Sequence, residues 1–233
     1  MHMNTDIVNN SLIECSDIHK SYMIGKLPVY ALRGISYKFH SGEFTAIMGP
    51  SGSGKSTLLH LLGGLDSPTQ GNILFNQRNI ATFSSNQLAE FRLNHIGIIF
   101  QSFNLIPSIS ALDNVLLPLV FANSMNKKNQ RSRAIEVLDL VDLKDRMNHF
   151  PGELSGGEQQ RVAIARAIAN KPTIILADEP TGELDSNNSK KILELLKELN
   201  KKGQTIIMVT HDVNLAKYAD KTIQILDGKL IGN

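Results

Sequence analysis

The chain has 233 residues, 42% of them hydrophobic and 20% charged, with a formal net charge of +2. That is enough apolar material for one large domain, or for a core carrying an inserted subdomain. The charge is too small to suggest nucleic acid as the main partner, because such binders gather a basic stripe; the short pairs Lys127-Lys128 and Lys201-Lys202 read as solvated surface.

In chain order, residues 12–22 and 35–39 read as strands, the second closed by the turn His40-Ser41-Gly42-Glu43. Residues 44–48 form a short apolar run that enters a Gly-rich loop, as a buried strand does. Residues 57–65 follow as an apolar helix stopped by Asp66, Pro68 and Gly71, and residues 73–75 give a further strand. From Asn86 the pattern turns helical. A brief strand falls at 96–100, and helices at 111–122 and 132–141 are split by a polar linker, 123–130. A helix over 158–169 leads to an apolar strand over 173–177. The amphipathic helix 187–201 carries Ile192, Leu195, Leu196 and Leu199 at i, i+3, i+4, i+7. Strands at 205–209 and 221–226 follow, the last ending at an Asp227-Gly228 turn.

Apolar strands alternating with helices predict a mostly parallel sheet covered on both faces. The single cysteine, Cys15, excludes an intramolecular disulfide and suits a reducing compartment. Residues 1–13 are polar, with no signal-peptide pattern, and Met1-His2-Met3 is given no functional weight. The most apolar stretch, 115–122, is interrupted by Pro118 and far short of the roughly 20 residues a membrane span needs. A role at a membrane is therefore expected to run through a partner.

Three segments carry chemistry. Gly49-Pro50-Ser51-Gly52-Ser53-Gly54-Lys55-Ser56 matches G-x-x-x-x-G-K-[ST] between a strand and a helix. Its glycines let backbone N–H groups curl inward, and the following helix adds its positive end, so the loop fits β- and γ-phosphates. Lys55 places a cation on them, and the Ser56 hydroxyl is expected to ligate Mg²⁺. Asp178-Glu179 ends a buried strand. The pair reads either as capping acids before Pro180, or as a Mg²⁺ holder (Asp178) and a general base for water (Glu179). Leu154-Ser155-Gly156-Gly157-Glu158-Gln159-Gln160-Arg161 opens a helix with small residues. It reads as an ordinary N-cap or as a second anion-binding end. One nucleotide cannot easily use both ends within one subunit, whereas two copies head to tail can.

With these motifs in place, nearly the whole chain resembles an ATP-binding subunit of the ABC-transporter family. The resemblance implies an α/β P-loop (RecA-like) fold with a mostly parallel sheet, N-terminal antiparallel strands and an inserted α-helical subdomain. Residues 1–90 and 166–233 would form the core, and 91–165 the helical signature subdomain. It implies ATP and Mg²⁺ as cofactors, and a homodimer sandwiching two ATP molecules, each between Lys55 of one subunit and Ser155 and Gly157 of the other.

The family's positions carry over one by one. Glu179, His211, Lys55 and Gln101 are the expected catalytic set. Gln101 also senses Mg²⁺ and γ-phosphate, and Ser56, Gln101 and Asp178 are the expected metal set. His211, after the strand 205–209, matches the switch histidine. Tyr22 matches the aromatic that stacks on adenine, with Tyr30 its rival. The nucleotide-binding set is then Tyr22, Gly49, Pro50, Ser51, Gly52, Ser53, Gly54, Lys55, Ser56, Thr57, Ser155, Gly156, Gly157, Glu158 and Asp185. Gly182-Glu183-Leu184-Asp185 matches the D-loop that crosses the dimer interface, with one departure: relatives usually carry Asn where this chain has Glu183. The extra acid is expected to weaken dimerisation or to alter coupling, without abolishing activity.

The phrases Leu58–Asp66, Phe100–Pro107 and Ala177–Gly182 are similar to those of the lipoprotein-release and macrolide-export group. Cell-division and peptide-antibiotic-resistance cassettes share them. The resemblance implies a separate integral-membrane permease as partner, no nucleic acid, and a cytoplasmic place on the inner face of the cell membrane. The alternative is a soluble non-transport ABC ATPase. A chromosome or repair ATPase of that superfamily carries a long coiled coil between its motifs, and this chain has no heptads there. A translation-type protein carries two cassettes, and an inactive regulatory cassette would lack Glu179 or His211.

Overall fold

The computed structural model describes residues 11–232, so Met1-His2-Met3 and most of the polar 1–13 segment lie outside it. Strands β1 (Ser11–Ile24) and β2 (Leu27–His40) form a long antiparallel hairpin, followed by β3 (Phe44–Met48) and helix α1 (Lys55–Leu62). Next come β4 (Gln70–Phe75), β5 (Arg78–Asn79), α2 (Ser85–His95) and β6 (Ile96–Ile99). Three helices follow, α3 (Ala111–Ala122), α4 (Lys127–Leu140) and α5 (Gly156–Ile168). The chain closes with β7 (Ile174–Asp178), α6 (Ser186–Lys201), β8 (Thr205–Thr210), α7 (Val213–Ala216), β9 (Lys221–Leu226) and β10 (Lys229–Ile231).

Two sheets result. The antiparallel one runs β2-β1-β4-β5, and the second runs β10-β9-β3-β8-β7-β6, parallel throughout except for β10. The P-loop α/β class and the N-terminal antiparallel strands expected from the sequence are both present. The central strands read as unbroken apolar runs because both their faces are buried. Their side chains alternate between two cores. Phe44, Ala46, Ile175, Ala177, Ile206 and Met208 face one, with α3, α4, α5 and α6. Ile47, Ile174, Leu176, Ile207 and Val209 face the other, with α1 and the antiparallel sheet. Ala111, Leu112, Val115 and Val137 of α3 and α4 join the first cluster, so the helical segment shares its core with the parallel sheet.

Several boundaries differ from the sequence expectation. β2 starts eight residues early, because its first four residues, from Leu27 to Tyr30, are apolar yet exposed and show no alternation. α4 begins at Lys127, inside the expected linker, under an Asn126 cap whose side chain accepts from the Asn129 N–H at 3.0 Å. α3, by contrast, spans the expected 111–122 and runs through Pro118, whose carbonyl accepts from Asn170 Nδ2 at 2.9 Å. α1 starts two residues early, at Lys55, and stops at Gly63.

Candidate functional site

The carboxyl ends of β6, β3, β8 and β7 lie on one edge of the parallel sheet. Register places Met48 beside Thr210, Val209 beside Asp178, and Ala177 beside Ile99. The loops leaving these strands therefore emerge together, which is where ligands bind in open α/β sheets. Lys55 and Asp178, far apart in sequence, are neighbours here.

The loop 49–54 turns tightly into α1. Gly54 has φ 104°, a left-handed conformation, and a Cβ there would stand 2.4 Å from the Ala31 carbonyl oxygen. At Gly49 a Cβ would meet the Ile225 carbonyl oxygen at 2.1 Å. No side chain caps the amino end of α1, and no acid sits in its first turn. Its N–H groups and positive dipole end therefore point at the space the loop encloses. The Ser53 hydroxyl is buried with no partner among the described residues. Lys55, only 5% exposed, donates to the Pro50 carbonyl at 2.9 Å, so a nearly buried ammonium crosses the loop. A buried cation beside free N–H donors fits an anionic phosphate chain.

Ser56 Oγ donates to Asp178 Oδ1 at 2.9 Å. Burial pushes the Asp178 carboxyl above its ordinary range. The Ser56 hydroxyl, His60 and Lys55 pull it back in part, while Glu179 adds to the rise. His60 Nε2 lies 3.8 Å from Asp178 Oδ2. This histidine escaped the sequence reading, although it falls on the Ser56 face of α1 at i+4. Two oxygen donors side by side suit a hard cation that fills its other positions with water and phosphate oxygens, as Mg²⁺ does. Among the described residues no group of three or more His, Cys, Asp or Glu side chains is placed to hold a metal.

Glu179 has φ 44°, unusual for a residue with a side chain and a strain of order 1–3 kcal/mol. Its N–H donates to the Val209 carbonyl at 3.1 Å, and its Oε2 lies 3.1 Å from His211 Nδ1. The two predicted catalytic side chains are thus in contact. They line a cleft of about 510 Å³ together with Thr181, Leu184, Lys190 and Tyr218.

Gln101 is exposed and lies against Gly182, where a Cβ would come within 2.9 Å of Gln101 Nε2. Among the described residues it makes no hydrogen bond to Ser56 or Asp178. Ser155 caps α5 in a reciprocal box: its hydroxyl oxygen accepts the Glu158 N–H at 3.4 Å, and the Glu158 carboxylate accepts the Ser155 N–H at 2.8 Å and the Ser155 hydroxyl at 2.7 Å. The Ser155 hydroxyl and N–H, helped by Arg146 and Arg161, hold the Glu158 carboxyl below its ordinary range. No hydrogen bond of the described residues joins Ser155, Gly156 or Gly157 to the loop 49–56. Asp185 caps α6, accepting from the Asn188 N–H at 2.9 Å and from Asn188 Nδ2 at 2.6 Å.

Tyr22, 39% exposed on β1, donates its hydroxyl to Asp66 Oδ2 at 2.9 Å. Tyr30, on β2, is 58% exposed, and the Arg33 guanidinium stands 5.8 Å from its ring centre.

Fold and site together define a P-loop nucleotide-binding ATPase cassette. The profile of the ABC transporter family matches residues 32–182, and the chain belongs to that family. It is 50% identical over 220 residues to the ABC transporter ATP-binding protein YvrO of Bacillus subtilis, covering 94% of this chain and 96% of that one. It is 47% identical over 222 residues to the macrolide export ATP-binding/permease protein MacB of Chlorobium luteolum, covering 95% of this chain but 33% of MacB. Among solved structures it superposes with a TM-score of 0.88, at 45% identity, on a dimeric post-hydrolysis state of the ATP-binding cassette MJ0796 bound to ADP and Pi. That match covers 94% of this chain and 97% of the other. No helix of the described residues is long and apolar enough to cross a membrane.

Proposed function

We propose that the chain is the ATP-binding and ATP-hydrolysing subunit of an ABC-type membrane complex, working as a homodimer on a separate integral-membrane permease. The observation that carries this reading is the convergence, at one sheet edge, of an uncapped phosphate-loop helix, the Ser56–Asp178 pair and the Glu179–His211 pair. The Ser155 helix end, which in this reading serves a nucleotide of a second copy, is closed by its own Glu158 and is not engaged by that loop. The dimeric MJ0796 cassette and the combined ATP-binding/permease name of MacB support the two-subunit and permease parts.

In this mechanism Lys55 and the α1 N–H groups bind the β- and γ-phosphates. Ser56 and Asp178, with Gln101 swung in from Gly182, would hold Mg²⁺, which supplies charge neutralisation at the phosphate oxygens. Glu179 accepts the proton of the attacking water. His211 holds the Glu179 carboxylate through Nδ1 and leaves Nε2 for the γ-phosphate. Ser155 and the Gly157 N–H of the second copy stabilise charge that develops on the transferred group. Closure pulls the α3–α4 segment, and the permease reads that motion. The subunit then works at the cytoplasmic face of the membrane, in the macrolide-export and lipoprotein-release group.

The test is a tagged Glu179→Gln protein incubated with Mg-ATP and drawn from solubilised native membranes. The expected result is an ATP-bound dimer carrying one permease with a large external domain. A protein that stays monomeric at saturating ATP would sink the dimer mechanism. Recovery of soluble partners alone would leave the ATPase standing and overturn the membrane assignment in favour of a soluble ABC ATPase.

A further inference from the structure

The geometry points to Asp66 as a positioning residue for the nucleotide base, acting through Tyr22 and held in place by Lys20. This inference rests on the reading of Tyr22 as the base-stacking ring.

Asp66 follows the carboxyl end of α1, the helix that begins at the phosphate loop, and its carboxylate is divided between two tasks. Oδ2 accepts the Tyr22 hydroxyl at 2.9 Å. Oδ1 accepts Lys20 Nζ at 2.6 Å and the Ser67 N–H at 2.7 Å. Lys20 Nζ also donates to the Ser67 carbonyl at 2.8 Å and stands 4.8 Å from the centre of the Tyr22 ring. Lys20 and Tyr22 are two apart on β1, so they share one face of the strand. The Lys20 side chain is only 12% exposed and that of Asp66 33%, so this pair is shielded more than an open surface ion pair.

The arrangement restrains the ring twice. The hydroxyl is anchored at the far end, which resists rotation about the bonds that swing the ring away. The ammonium occupies one side of the ring, which leaves the other to a planar base. A ring already ordered spends less side-chain entropy when the base arrives. Asp66 also links β1, which carries the ring, to the segment leaving the phosphate-loop helix, and it shares that junction with the Lys20–Ser67, Ser21–Thr69 and His19–Thr69 hydrogen bonds. The protonation states agree with these roles. Burial and the Asp66 carboxylate push the Tyr22 phenol up, with Thr57 opposing, so it remains a donor. Burial pushes the Asp66 carboxyl up, but Lys20, the Ser67 N–H and Tyr22 outweigh it, so it remains an acceptor.

The test compares kcat and KM for Mg-ATP, together with Tm, in Tyr22→Ala, Tyr22→Phe, Asp66→Ala, Asp66→Asn and the Tyr22→Phe/Asp66→Ala double variant. The expected result is a KM raised about three- to tenfold in Tyr22→Phe and in Asp66→Ala, with the loss in KM exceeding that in kcat. Tyr22→Ala raises KM further, and the double variant is no worse than the poorer single one. Asp66→Asn keeps the shape of the side chain and gives an intermediate KM, which covers the case of an unstable Asp66→Ala. If Tyr22→Ala raises KM while Tyr22→Phe and both Asp66 variants do not, stacking stands and the positioning role is overturned. A KM unmoved in Tyr22→Ala overturns the stacking reading and the positioning role with it. Additive effects in the double variant, or a fall in Tm and kcat without a KM effect, also overturn it, since Asp66 would then act elsewhere or only on the fold.

Discussion

Cys15 lies on β1 with 2% of its surface exposed, and burial, with a smaller push from Glu14, raises its thiol from 9.0 to about 12. A group whose pKa is higher in the folded chain keeps its proton there while the unfolded chain releases it. Stability is therefore intact below pH 9 and declines between pH 9 and 12, by at most about 1.4 kcal/mol per pH unit. Cys15→Ala is expected to be the less stable protein at pH 8, because it leaves a small cavity, but to lack this slope. Urea unfolding at pH 8 and pH 10.5 would show the gap between the two proteins changing by about 2 kcal/mol in favour of the variant. The phosphate loop was legible in the sequence because its chemistry is local: a strand, glycines, Lys55 and a helix follow one another. Asp66 and His60 were not, because what matters about them is a partner over 40 positions away, Tyr22 for one and Asp178 for the other. Asp66 read only as the stop after α1.

Helix α5 ties together the loops that carry the site. Gln160 is fully buried, and its amide donates to the Phe100 carbonyl at 3.3 Å and, more closely, to the Pro180 carbonyl. Those two carbonyls belong to the residues next to Gln101 and Glu179. Two turns on, Arg166 donates to the carbonyls of Phe103 at 2.9 Å and Asn104 at 2.5 Å, both residues with positive φ. The loop after β6 is thus fastened at its start and at its kink by the helix that also presents Ser155. Gln160→Met keeps the volume and removes both donors. It is expected to lower kcat about tenfold or more, since the base and Gln101 lose their common tether, while KM for ATP stays within about twofold. It should also cost about 1–3 kcal/mol, because two carbonyls are left without partners. A steady-state assay with a parallel unfolding curve checks both, and a loss of stability without a loss of kcat would reduce Gln160 to a packing role. Elements were legible in the sequence where burial imposed a period. The central strands and α6 were read nearly to their ends. The first turn of α4 was missed because Lys127, Lys128 and Asn129 face solvent, and its signal was the Asn126 cap. β5, α7 and β10, at two to four residues, are too short to show any period.

At the scale of the whole molecule, one sheet with two cores holds every expected catalytic group on a single edge, yet leaves the Ser155 helix end closed by its own Glu158 carboxylate, with no hydrogen bond to the phosphate loop among the described residues. Completing the site from a second copy means a two-fold interface, across which a residue near the axis meets its own image. Glu183 belongs to the loop expected there. It is exposed, and no salt bridge pairs it among the described residues. Two such carboxylates at ~6 Å in water repel by about 0.7 kcal/mol, or roughly threefold in a dimerisation constant. Salt screens that term, since the Debye length falls from about 10 Å at 0.1 M to about 3 Å at 1 M. In the Glu179→Gln background, where hydrolysis does not reopen the dimer, Glu183→Asn is therefore expected to lower the ATP concentration for half-dimerisation severalfold at low salt and hardly at all near 1 M. Light scattering across an ATP titration at the two salt concentrations measures it. Equal curves at low salt would place Glu183 away from the two-fold axis. A difference that persists at high salt would point to a lost contact rather than a relieved repulsion.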